Sequence, residues 1–138
     1  HTLRPLHTDT EDLRTRVLGL LAGQDWFADA PVHLVQVARF PRSFWKYRNH
    51  PKAYRAVLLD AGHLSQQWML SATEVGLAAY VTAAINEIDI ENLLGLDGIQ
   101  ASPVMMCGLG WRAGTQVTSE FDPLKVLWTD EAGQAGNG

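Results

Sequence analysis

Side chains able to carry chemistry are scattered along this chain rather than gathered into one motif. The five histidines stand at positions 1, 7, 33, 50 and 63, without the paired spacing of a zinc site and with no carboxylate cluster beside them, so no metal centre is expected. His63 lies inside a helical pattern and reads as a hydrogen-bonded structural residue. Cys107 sits in an apolar run with no base nearby in sequence, and the serines lack a nucleophile-elbow context, which leaves covalent catalysis with little support. As the single cysteine, Cys107 excludes an internal disulfide, and a buried thiol is its expected state. Gly108-Leu109-Gly110 opens like a dinucleotide fingerprint, but the third glycine is misplaced and no helix begins there. Lys46 and Tyr47 lie in the aromatic, cationic stretch FWKYRNHPK. On residue pattern alone they read as a surface lysine and a core aromatic.

The elements that must position these residues belong to a chain of 138 residues, enough for one domain, with 46% hydrophobic and 19% charged residues. No apolar run approaches the roughly 20 residues of a spanning helix, and HTLRPLHTDTED lacks the apolar core of a signal peptide. A cytoplasmic protein without a membrane partner is expected. The net charge of -4 argues against a nucleic-acid partner, which needs a basic face to displace counterions. The chain opens on His1 with a strand-like HTLRPL already under way, as a processed or trimmed product would.

Thr8 to Glu11 fits a capping box, so a helix should follow with Leu13, Val17, Leu20 and Leu21 on its apolar face and Gly23 at its end. GQDWFADAP reads as a turn or single helical turn that sets Trp26 and Phe27 against the core. The alternation in VHLVQVARF predicts a strand from Val32 to Phe40. A long helix, on which the rest of the chain is organised, is predicted from Pro51 to Gly76, with Pro51 as first helical residue and Asn49 or His50 as cap. Its apolar stripe runs through Val57, Leu58, Ala61, Leu64, Ser65, Trp68, Met69, Ala72 and Val75, and suits a core or another subunit. LAAYVTAA, from Leu77 to Ala84, should be a buried strand. Asn86 then caps a short helix with Ile88, Leu93 and Leu94 inward and Gly95 as its stop. SPVMMCGL, from Ser102 to Leu109, reads as a strand covered on both faces, and the tail at 113–138 reads as polar and partly disordered.

The succession WKYR, YRAVLLDAGHLSQQ, EVGLAAYVTAAINEIDIENLLGL and PVMMCGLGWR resembles the C-terminal half of the SagB-type branch of the nitroreductase-like flavoproteins, and within it the peptide maturation dehydrogenases. The resemblance implies an α+β fold of nitroreductase type over residues 1–112, with a long central helix and a mixed sheet, built as an intertwined homodimer with FMN at the subunit interface. It places Thr82, Ala83 and Ala84 beside the flavin ring, where small side chains let backbone amides approach a planar group. The family's glycine after the last core strand matches Gly110, and Arg112 just beyond suits a phosphate, which a guanidinium binds bidentately. Where the family has glycines and an acidic residue near the ring, this chain has Ala83, Ala84 and Asn86. The family's N-terminal Arg/Ser motif for the ribityl-phosphate has no counterpart here, so this chain by itself is not expected to complete a flavin site.

SagB-type relatives oxidise azoline rings in ribosomally made peptides to azoles, passing two electrons to FMN, and the branch's catalytic Lys-Tyr pair matches Lys46-Tyr47. A carbon-bound proton must leave as hydride departs, so a positioned base is wanted. An ordinary lysine, with a pKa of about 10.4, serves poorly at neutral pH unless burial or cationic neighbours such as Arg42 and Arg48 lower it. The implied partners are a second copy, a peptide substrate and a peptide-modifying complex. Two other readings stay open: an NAD(P)H-dependent nitroreductase or quinone reductase, and a non-catalytic scaffold subunit.

Overall fold

The computed structural model describes residues 12–112 and Gly114. The opening strand at 1–6, the Thr8–Glu11 capping box and the tail at 113–138, Gly114 apart, lie outside the described residues. The elements are α1 (Leu13–Leu20), α2 (Asp25–Ala28), β1 (Val32–Arg39), α3 (Phe40–Lys46), α4 (Ala53–Glu74), β2 (Ala78–Thr82), α5 (Glu87–Leu94) and β3 (Ala101–Gly110).

The three strands form one sheet in the order β1-β3-β2, with β3 paired antiparallel to both neighbours. The expected mixed sheet is therefore not what the described strands form. The fold class is α+β, as expected. A register shift between Gln36 and Val37 lies where Val37 pairs with Pro103. Proline has no amide to give to the ladder, and such positions are tolerated at bulges. On one side of the sheet Val17, Leu20, Leu21, Ala28, Ile85, Ile90 and Met106 make the core, with Phe27, Val35 and Tyr80 packed against it. On the other side α4 contacts β2 and β3.

Helix ends follow the sequence signals in most places. Gly76 and Gly95 take left-handed φ angles of 77° and 66°, a conformation a side chain resists, and close α4 and α5. Asn86 caps α5 by accepting from the Asp89 amide at 3.3 Å. The start of α4 departs from expectation: Pro51 lies in a turn, Lys52 holds the cap position without a side-chain bond, and the helix begins at Ala53. Ile88 is exposed rather than inward, and Ile90 takes the buried position on α5. Trp26 is 51% exposed, whereas Phe27 stacks on Tyr80 with centroids 4.0 Å apart.

Register explains the first of the two glycines once weighed as a fingerprint. His33 and Tyr80 both pair with Gly108, one from each side of β3, and their side chains meet with Nδ1 of His33 2.7 Å from the Tyr80 hydroxyl. Burial lowers the His33 pKa, against the opposing pull of the Ala28 and Ala30 carbonyls. Burial, with a smaller contribution from Cys107, pushes the Tyr80 phenol up to about 12. A raised phenol pKa means that the folded state holds the proton more tightly than the unfolded chain. Stability from this group should be constant below about pH 10 and fall as pH rises toward 12. Tyrosinate absorbance is expected to show Tyr80 ionising near pH 12, together with loss of structure. A Tyr80 that titrates early with the fold intact would contradict this.

Candidate functional site

Lys46 and Tyr47 stand at the end of α3, as its last residue and its C-cap. Sequence alone places the pair at the end of the VHLVQVARF strand and its following turn, whereas in the structure Phe40 to Lys46 form a helix with Pro41 in its first turn, where a missing amide costs nothing. The Tyr47 amide donates to the Ser43 carbonyl at 3.1 Å, which fixes the pair's backbone. Phe40 anchors the helix to α4, with centroids 5.7 Å from Phe44 and 5.8 Å from Tyr54. Lys46 Nζ lies 5.1 Å from the Tyr47 ring centroid, a cation–π contact that brings the two expected partners together. Lys46 is exposed. The burial that a lysine base requires is thus not supplied by the described residues, and Arg48 is turned away over the Trp45 ring at 5.2 Å.

The junction after β2 is held from a distance. Gln24 Nε2 donates to the carbonyls of Leu21 at 2.7 Å and Ala84 at 2.6 Å, and Gln24 Oε1 accepts from Thr82 Oγ1 at 3.0 Å. The same Thr82 oxygen accepts from the Ala84 amide at 3.1 Å. Buried Thr82 is therefore the post that shapes this junction, and Ala84 has both its amide and its carbonyl engaged. Ala83 is exposed and stands outside these bonds, so it is the residue of the three whose backbone a planar ring can approach. Sequence reasoning missed Gln24 because nothing in local spacing links it to a residue 58 positions away. Thr82→Val keeps the shape but removes both side-chain bonds and leaves Gln24 Oε1 unpaired. It should cost about 1–3 kcal/mol in denaturant unfolding, and an unchanged midpoint would contradict the role.

Gly110 and Arg112 lie at the other end of the β2–β3 pair. Ala78 pairs with Gly110 and Thr82 with Met106, so the two groups are separated by four residue steps of β3, about 13 Å. An elongated cofactor with a ring at one end and a phosphate at the other suits that separation. The missing side chain of Gly110 has a reason within the chain, since a Cβ would lie 2.6 Å from Pro31 Cδ. Arg112 is exposed just past β3. Among the described residues, no hydrogen bond or ring contact joins Thr82, Ala83, Ala84 or Gly110 to Lys46 or Tyr47.

Cys107 is buried, its pKa raised by desolvation against a weak bond from Gln36 Nε2 at 3.5 Å, as an inert structural thiol would be. No helix among the described residues is long and apolar enough to cross a membrane.

Comparison with known proteins agrees with this frame. The Trifolitoxin-processing protein TfxB of Rhizobium leguminosarum bv. trifolii is 35% identical over 63 residues, which cover 46% of this chain and 17% of that protein. A chain in the structure of the E. coli Microcin synthetase McbBCD complex with truncated pro-MccB17 bound superposes with a TM-score of 0.68 at 24% identity, over 81% of this chain and 41% of that one. B. megaterium NfrA1 superposes with a TM-score of 0.64 at 17% identity, over 90% of this chain and 55% of that one. This chain thus spans 17%, 41% and 55% of these three relatives, less than two thirds of each. The sequence profile of the Nitroreductase family matches residues 5–111, and the chain belongs to that family.

Proposed function

We propose that this chain is part of an FMN-dependent oxidoreductase of the SagB type, which dehydrogenates azoline rings to azoles in ribosomally made peptides in the cytoplasm. The observation that carries the reading is the 35% identity to a toxin-processing protein, in a fold shared with a chain of a microcin synthetase complex. The residues present fit the cofactor. Ala83 offers an exposed, unencumbered backbone for the ring, on a junction fixed by Thr82 and Gln24, and Arg112 stands at the far end for the phosphate. When bound, FMN supplies the two-electron acceptor for a hydride from the azoline carbon. Lys46, as the neutral amine, takes the proton that leaves the neighbouring carbon, and the Tyr47 ring holds the ammonium so formed while its hydroxyl relays the proton onward.

The partner that covers Lys46 in this reading is a second copy or the peptide itself. What supports a homodimer is the large apolar side chains that α4 leaves exposed, Leu58, Leu64, Met69 and Leu70, while its small Ala53, Ala61, Ser65 and Ala72 are buried. Large apolar residues left exposed in that number mark an interaction site. The whole protein of which this chain is part should carry FMN and run as a dimer by light scattering, while this 138-residue chain alone should be largely colourless. A monomer with another flavin, or with none, would overturn the cofactor and assembly parts of the reading.

A further inference from the structure

Charge is spread very unevenly along this acidic chain. Six of its 11 Lys/Arg, namely Arg39, Arg42, Lys46, Arg48, Lys52 and Arg55, fall at 39–55, which holds none of its 15 Asp/Glu. The other five basic residues are left against all fifteen acids. This stretch runs from the last residue of β1 through α3 and the turn after it to the first residues of α4. All six cations are exposed, and among the described residues the one ion pair is Arg14–Asp29, so no described carboxylate pairs with any of them. Like charges close together in the chain repel, and an anion from outside relieves that repulsion.

A cavity of about 330 Å³ opens where α4 begins, lined by Tyr47, His50, Lys52, Arg55, Ala56 and Leu59. Ala56, Leu59 and the Tyr47 ring offer apolar surface beside the cationic Lys52 and Arg55. We propose that this surface docks a short acidic peptide segment, with carboxylates on Lys52 and Arg55 and an aliphatic or aromatic side chain over Ala56 and Leu59. The choice of a peptide rests on the peptide-modifying reading above, and the site's contact with Tyr47 would bring the bound segment to the proposed proton-transfer pair. A long nucleic acid fits less well. A duplex carries a charge about every 1.7 Å of its axis and would extend well past six cations, whereas a short peptide ends among them. The apolar lining also has no use for a phosphodiester.

The test is fluorescence anisotropy with a labelled peptide of alternating Glu and Leu, the same peptide with Gln in place of Glu, and a single-stranded oligothymidylate. Binding of the Glu peptide should weaken with salt, and should weaken roughly tenfold or more in both Lys52→Glu and Arg55→Glu. Arg16→Glu, an equal charge change on α1, should leave it unaltered. Both sites are exposed, so thermal melts should match; should one fall, the milder Lys52→Ala must still weaken binding. Equal binding of the Gln peptide, or indifference to the reversals, would overturn the proposal. So would equally tight oligothymidylate binding with the same sensitivity, which would make this a nucleic-acid face. A change in assembly mass on charge reversal would assign the cavity to a second copy instead. The equilibrium measurement needs no turnover, so failure of the azoline chemistry leaves it readable. Intact azoline oxidation without peptide binding removes the docking site alone.

Discussion

Lys46→Ala and Tyr47→Phe in the flavin-loaded protein are each expected to lower azoline oxidation per bound flavin by roughly 10²–10⁴-fold, the usual worth of general acid–base catalysis. Flavin content and dimerisation should persist, for structural reasons. Lys46 is exposed and its Nζ rests over the Tyr47 ring, so its removal opens no cavity in the core. Tyr47→Phe keeps that ring and the backbone bond from Tyr47 to Ser43, and deletes the hydroxyl alone. If the pair only packs α3, the loss should instead appear as a lower melting temperature or lost flavin. Unchanged turnover per flavin in both variants would remove the assignment.

Gly108→Ala is expected to have the largest effect on stability of any single-methyl change in the sheet. The added Cβ would lie 2.0 Å from Tyr80 Cε1, with Cδ1 at 2.7 Å and Cζ at 2.8 Å. The ring has nowhere to retreat, because Phe27 stacks on it at 4.0 Å with an interplanar angle of 10° and His33 holds its hydroxyl at 2.7 Å. Overpacking of this kind costs typically about 1–3 kcal/mol, and breaking the His33–Tyr80 bond adds to it. Denaturant unfolding should show a lower midpoint for Gly108→Ala. Combining it with Tyr80→Ala should show strong coupling, since the second change removes the ring that the first collides with. Additive losses would mean that the two side chains do not compete for the same space.

Much of the fold was legible because most elements carry their own signals. The 3.6-residue pattern of α4, the Asn86 cap and the glycine stops at 76 and 95 are local properties of the chain, and the structure keeps them to within a few residues. The helix α3 was not legible. Its seven residues are too few to show a period, and Pro41 reads as a turn until it is seen in the first helical turn. The apolar stripe of α4 was read as one face, yet the structure buries its small residues and exposes Leu58, Leu64, Met69 and Val75. Sequence periodicity marks apolar positions without saying which of two partners covers them. The candidate site shows the same division. Lys46 and Tyr47 are neighbours in sequence and meet in space, whereas the Gln24–Thr82–Ala84 bonds and the Tyr80 slot over Gly108 arise only from sheet register and tertiary packing.

The central claim, that the oxidised substrate is an azoline ring in a peptide, is tested most directly by mixing the flavin-loaded protein with an azoline-containing peptide under anaerobic conditions. The account predicts bleaching of the flavin absorbance in step with loss of two hydrogens per ring by mass spectrometry, one ring for each flavin reduced. Flavin that stays oxidised with the peptide unchanged, but bleaches at once with NADH or NADPH, would contradict it.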